Sequence, residues 1–166
     1  MLKTAGTRAL PLVAALCVAL SVAACTNDKD LADASAFGAG ASTPGSAQDF
    51  VVNIGDRVFF ESDSTDLTST ATATLDKQAA WLQRYPRYTF IIEGHADERG
   101  TREYNFSLGA RRAQAVNDYL ASRGIASGRM RTVSYGKERP VAVCNDISCW
   151  SQNRRAVTVL DRGAGS

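Results

Sequence analysis

At 166 residues, with 45% apolar and 22% charged side chains, the chain is long enough for one domain with a hydrophobic core plus additional segments. Nineteen basic residues against seventeen acidic give a formal charge of +2. No basic run concentrates that charge, which argues against a phosphate-gripping, nucleic-acid-binding surface.

The first 24 residues differ from the rest. Lys3 and Arg8 give a positive start, and residues 9–20 form an apolar run that falls short of the ~20 residues a bilayer-spanning helix needs. Val22-Ala23-Ala24 then leads directly into Cys25. Small residues ending at a cysteine resemble the lipobox of bacterial lipoproteins, in which cleavage leaves the cysteine as an acylated N-terminus. Cys17 competes for that role but follows the bulky Leu16, inside the apolar run. The expectation is a signal peptide over residues 1–24 and lipidation at Cys25; a plain secreted protein with an incidental Cys25 is the alternative. Several acyl chains on one cysteine anchor stably where a single chain is marginal. Thr26 stands where lipoproteins of this type retained in the inner membrane carry aspartate, which points to the outer membrane. Cleavage removes Lys3 and Arg8 and no acid, leaving 19 − 2 = 17 basic against 17 acidic residues, a neutral chain.

Residues 25–48 are small, polar and rich in Gly, Ala and Ser, the composition of a tether that cannot bury enough surface to order itself. Its random-coil reach is roughly 25–30 Å. A folded domain is expected over residues 49–162, followed by a disordered tail at 163–166. Residues 50–54 (FVVNI) and 57–60 (RVFF) read as strand material split at Gly55, and residues 61–66 (ESDSTD) as a turn cluster. Asp66 or Thr68 can cap a helix over residues 69–84, whose Ala71, Leu75, Ala79 and Leu82 share a face. Pro86 stops it. Residues 88–93 form the next strand, a long helix spans about 104–123 with Gly124 as its left-handed cap, and residues 130–134 form a third strand. Residues 135–150 read as an extended loop. A short helical turn near 151–153 precedes the last strand at 155–160. Strands alternating with helices imply an α/β two-layer sandwich: a mixed sheet of about four strands, with two main helices on one face.

The long helix carries an anomaly. Leu108, Arg112, Val116 and Leu120 are spaced by four, with Asn105 a turn ahead, so Arg112 sits on the stripe that faces the core. An arginine is almost never buried without a partner. Asp97, in the loop after the second strand, is the best-placed acid. Arg111 points about 100° away, toward solvent or a partner.

Cys144 and Cys149 remain once Cys17 and Cys25 are accounted for. In an exported chain a small-loop disulfide is the favoured reading. A zinc site would need more than two cysteines and the distant His95. His95 and Asp97, with Glu93 and Glu98 nearby, suggest hydrolysis, but no activated nucleophile or three-ligand metal accompanies them. The better reading is that His95 fixes its loop by hydrogen bonding. No enzyme, cofactor or metal is expected.

EGHADERGTREYNFSLGARRA (residues 93–113), VSYGKERP (133–140) and SQNRRAV (151–157) together resemble the peptidoglycan-associated lipoproteins of the OmpA C-terminal-like domain family. The likeness covers about residues 50–161, and the anchor and tether fit it. The resemblance implies noncovalent binding of peptidoglycan through the meso-diaminopimelate of its stem peptide. It places ligand contacts on Asp97, Gly100, Asn105, Leu108 and Arg112, and on Phe60-Glu61 where the family usually has Phe-Asp. It also implies partnership with the Tol system, notably TolB, in envelope integrity and cell division.

The chemistry fits such a ligand independently. Diaminopimelate presents an ammonium and a carboxylate on one carbon. Asp97 can accept from the ammonium while Arg112 forks the carboxylate, and Thr101 or nearby backbone amides can add donors. Three alternatives stay open: Asp97 and Arg112 satisfy only each other; Arg99 is a second contact or merely a solvated charge; Asn153-Arg154-Arg155 line the site or merely cap the last strand. The competing function is a lipoprotein that docks periplasmic proteins without binding peptidoglycan.

Overall fold

The structure is a computed structural model and describes residues 42–161. The expected signal peptide, Cys25, tether residues 25–41 and tail at 163–166 lie outside the described residues. The elements run α1 (Ala47–Asp49), β1 (Arg57–Phe59), α2 (Ser69–Arg84), β2 (Phe90–His95), α3 (Arg102–Ser122), β3 (Met130–Gly136), α4 (Ile147–Asn153) and β4 (Arg155–Leu160). The sheet order is β1-β4-β2-β3, with β2–β3 parallel and the other two pairings antiparallel. This is the mixed four-stranded α/β sandwich that the alternation of elements implies.

Helix α2 starts where its sequence dictates. The Thr68 hydroxyl accepts from the Ala71 amide at 3.2 Å, satisfying a free N-terminal N–H. Its Ala71, Leu75, Ala79 and Leu82 are buried against Phe90 and Ile92 of β2 and Val116 and Leu120 of α3. Helix α3 starts two residues earlier than its periodicity suggests, because Thr101 caps it through the Tyr104 amide.

The first expected strand is absent. Residues 50–54 wind instead into a wide π-helical turn continuing α1 and closed by Gly55 at φ +92°. Four-residue spacing decides the matter: Phe50 is fully buried and Ile54 packs on the core, while Val51 and Val52 face solvent at 46% and 57% exposure. An extended strand would have put Val52 on the same face as Phe50. The Phe50 ring meets the Trp81 ring at 4.9 Å, and the Trp81 indole donates to the Asp49 carboxylate at 2.9 Å. Folded structure therefore begins before residue 49: Ser46 caps α1, and the Gly45 carbonyl accepts from the Tyr88 hydroxyl at 2.8 Å. This entry segment sits at the start of β2. The cleft described below lies past the strand's other end, roughly 20 Å away along six residues.

Two glycines bring α3 onto the sheet. A Cβ on Gly94 of β2 would collide with the carbonyl of Gly109, and one on Gly109 would meet the Gly94 carbonyl oxygen at 2.8 Å. Backbone thus rests on backbone, and the next turn of the helix, carrying Arg112, arrives at the end of β2. Among the described residues no helix is long and apolar enough to cross a membrane.

Candidate functional site

Arg112 is completely buried, as its place on the apolar stripe requires. Its partners are not the expected ones. Nε donates to the Ser64 carbonyl at 2.9 Å, Nη1 to the His95 carbonyl at 2.9 Å, and Nη2 to the Glu61 carbonyl at 3.1 Å. Three backbone oxygens, one from the strand end and two from the 61–64 turn, take the place of a carboxylate. Five donors less three leaves two N–H groups, one on each terminal nitrogen. The Phe60 ring lies 5.2 Å from the guanidinium carbon. Burial and the charge of Arg154 hold the Arg112 pKa down to about 10, with Asp97 pulling it back up. The group stays cationic at neutral pH.

Asp97 borders the same cleft without bonding to Arg112. Burial raises its pKa, but hydrogen bonds and charge from Arg99, with a contribution from Arg154, outweigh that and leave it below the ordinary value. The Arg99 amide and Nε both donate to Oδ1 at 3.1 Å, its Nη2 donates to Oδ2 at 2.7 Å, and the buried Arg154 Nη1 reaches Oδ2 at 3.4 Å. The simple Asp97–Arg112 salt bridge is thereby corrected: the carbonyls of the turn are nearer to the helix stripe than any carboxylate.

The cleft between them holds about 240 Å³ and is lined by Ser62, Asp63, Asp97, Arg99, Gly100, Tyr104, Asn105, Leu108 and Arg112. Asn105 donates from Nδ2 to the Arg99 carbonyl at 2.7 Å, pinning the loop. Gly100 holds φ +88°, a conformation open to glycine at little cost. Phe60 lies beneath Arg112 rather than on the lining, and Glu61 contributes its carbonyl while its side chain is exposed. Thr101 is exposed at the helix start, outside the lining.

Sequence reasoning did not identify Ser62, Asp63, Tyr104 and Trp150. The Tyr104 hydroxyl donates to the Asp63 carboxylate across the cleft, and Arg99 stacks 4.3 Å from the Trp150 ring centre. Arg154 belongs to the site, since its Nε also donates to the Phe60 carbonyl at 3.0 Å. Its presence in the NRRAV run was the signal. Asn153 is structural: its side chain holds Val141 and Ala142. Arg155 donates to the Asn153 and Arg139 carbonyls, and Arg111 is exposed.

His95 does not fix the loop by its ring. Both ring nitrogens lack a hydrogen-bond partner, and Glu93 is 3.6 Å from Nε2, too far to accept. The ring packs 5.6 Å from that of Tyr135, and its backbone carbonyl, not its imidazole, serves Arg112. Cys144 and Cys149 are joined by a disulfide, with Cα atoms 5.6 Å apart. Among the described residues no three His, Cys, Asp or Glu side chains converge as a metal site. A larger groove of about 540 Å³ beside Phe106 and Tyr135 contains neither Asp97 nor Arg112, and its charged side chains are all exposed.

The two-layer sandwich on its mixed four-stranded sheet is the fold of OmpA-like domains. The model of the OmpA family matches residues 59–154. The peptidoglycan-associated lipoprotein of Rhizobium meliloti is 64% identical over 159 residues, covering 94% of this chain and 90% of that protein. The peptidoglycan-associated lipoprotein of Brucella melitensis is 61% identical over 158 residues, covering 93% and 94%. The crystal structure of the peptidoglycan-associated lipoprotein from Burkholderia pseudomallei superposes with a TM-score of 0.66 at 37% identity, covering 70% of this chain and 100% of that one. The C-terminal domain of Helicobacter pylori MotB shares the fold, with a TM-score of 0.61 at 22% identity over 66% of this chain and 86% of that one. The chain belongs to the OmpA family and, within it, to the peptidoglycan-associated lipoproteins. That membership makes it a lipoprotein of the cell envelope and not an enzyme.

Proposed function

We propose that the domain noncovalently binds peptidoglycan through the meso-diaminopimelate of its stem peptide and ties the outer membrane, through lipid on Cys25, to the cell wall. The observation that carries this is the buried Arg112 with two uncommitted donors, sharing a 240 Å³ cleft with Asp97. A carbon bearing both an ammonium and a carboxylate needs an acceptor-only anion at one side and a multi-donor cation at the other. Because Arg112 is already oriented by three carbonyls, it loses little freedom when it takes the carboxylate. The lipid and the polymer then pull from opposite ends, because the chain enters at the start of β2 and the cleft lies past its end. Many copies on one membrane and one sacculus add avidity to weak single contacts. The relatives named above are called peptidoglycan-associated, which supports the same reading. Within it, the chain works with the Tol proteins, TolB among them, in envelope integrity and division.

The competing reading, a lipoprotein that only docks proteins, took Asp97–Arg112 as an internal salt bridge. It loses that premise, because the two side chains bond to other groups. Co-sedimentation with purified sacculi tests the proposal. The wild type and Glu61→Ala should pellet, while Asp97→Asn should stay in the supernatant with an unchanged circular-dichroism spectrum. If Asp97→Asn pellets like the wild type, the binding reading is wrong.

A further inference from the structure

Resting on that reading of the cleft, we propose that Arg99 is a resident cation that occupies Asp97 until the ligand's ammonium displaces it, and that Trp150, in α4 next to the Cys144–Cys149 disulfide, is a positioning residue that sets how firmly Arg99 is held.

The argument begins with the carboxylate. An ionised Asp offers about four lone-pair sites. Here four donors already fill them: the Arg99 amide, its Nε and Nη2, and Arg154 Nη1. An ammonium brings three more donors, so something must leave. Arg154 is the less movable cation, being 5% exposed and tied by Nε to the Phe60 carbonyl. The Arg99 side chain is 44% exposed and borders the cleft, while its backbone amide can stay in place. Arg99 is therefore the group that yields. It also closes the cleft, since its Nη2 donates to Ser62 Oγ at 2.9 Å on the opposite turn.

What holds Arg99 there is Trp150 of α4, the helix that the disulfide ties back at Cys149. Its guanidinium carbon lies 4.3 Å from the Trp150 ring centre, within cation–π range. The Trp150 indole donates to the Glu98 carboxylate, and its amide to the Asp146 carbonyl at 3.1 Å. Asp146 caps α4, and Cys149, next to Trp150, is bonded back to Cys144. Helix α4 thus presents one aromatic face to one cation, and ligand specificity follows from it. Only a ligand carrying its own cation can replace the Arg99 side chain without leaving the Asp97 carboxylate with just the Arg99 amide and Arg154 as donors.

The test is the affinity of a soluble diaminopimelate tripeptide, with its side-chain amine either free or acetylated, for variants of the folded domain. Arg99→Gln should bind the free-amine peptide about threefold to thirtyfold more tightly than the wild type, and gain nothing for the acetylated one. Trp150→Leu and the double substitution Cys144→Ser/Cys149→Ser should show smaller gains in the same direction, and Trp150→Phe should restore wild-type affinity. Combined with Arg99→Gln, Trp150→Leu should add nothing further, because both act through one contact. If Arg99→Gln binds the free-amine peptide no better, or both peptides equally better, the resident-cation proposal is overturned. If Trp150→Leu matches the wild type, the positioning role falls. If the wild type binds neither peptide, the reading of the cleft fails, and this inference with it.

Discussion

The Nη1 of Arg112 donates to the carbonyl oxygen of His95 at 2.9 Å, joining the buried charge of α3 to the last residue of β2. Ser64 and Glu61 complete the cradle from the turn after β1. One side chain therefore fastens three segments that are 17 to 51 residues apart in sequence. The group proposed to meet the ligand is also a structural tie.

Removing that tie is expected to be costly. Arg112→Ala should lose about 3–5 kcal/mol of folding free energy, since one buried and two part-buried carbonyls lose a charged donor. Arg112→Lys should recover only part of it, because an ammonium cannot reach the same three directions in one plane. Urea titration followed by circular dichroism measures both. A midpoint within error of the wild type for either variant would show that water replaces the guanidinium freely.

Gly94→Ala should be among the most damaging substitutions, with a loss of about 3 kcal/mol or more, because its methyl group meets the backbone of Gly109 rather than a side chain that can turn away. Gly128→Ala is the control: nothing lies within 4 Å of its added Cβ, and its stability should stay within about 0.5 kcal/mol. Thermal melts of the two decide whether the sheet–helix contact is as close as described.

His95 is the single histidine of the chain. Burial, followed by the charges of Arg155, Arg139 and Arg57, lowers its pKa from 6.5 to about 4. The unfolded chain takes up a proton near 6.5 and the folded one does not until about 4. Stability from this group is therefore complete above 6.5 and falls as pH drops through that window, by up to about 3 kcal/mol. Urea titrations at pH 7, 5.5 and 4 should show the fall, and His95→Gln should flatten it. Asp97, whose pKa is lowered, contributes in the same direction at the acid end. An imidazole resonance titrating near 6.5 in the folded protein would contradict the burial argument.

Phe50→Ala should cost about 3–5 kcal/mol, as expected for a fully buried ring. Val52→Ala, at a position 57% exposed, should cost less than about 0.5 kcal/mol. Equal effects of the two in a denaturation series would restore the extended-strand reading of residues 50–54.

Much of the architecture was legible in the sequence because it rests on local periodicity. Ser69–Arg84 is a helix whose four-residue spacing, Thr68 cap and Pro86 stop all agree. The Leu108–Arg112–Val116–Leu120 stripe fixed which face of α3 is buried, and hence that Arg112 is inside. Asp97, Gly100, Asn105 and Leu108 likewise fall around one cleft, because the loop and the first turns of the helix adjoin in the chain. Residues 50–54 were misread because a run of Phe, Val and Ile satisfies strand propensity and a helical turn alike. Docking on Trp81, over thirty residues away, decides between them. The partners of Arg112 were equally hidden: every residue has a carbonyl, so no pattern of side chains marks Glu61, Ser64 and His95. The same holds for Trp150, while for Arg154 the NRRAV run left open whether it lines the site or caps the strand; β4 pairing beside β2 decides it. Sequence by itself determined the two long helices, which of their faces is apolar and that a charge lies on one of them, but not the helical turn at 50–54 or the full extent of that at 147–153. Only the tertiary structure decided what that charge touches, because contacts between distant segments depend on sheet order and close backbone approach, which local periodicity does not encode.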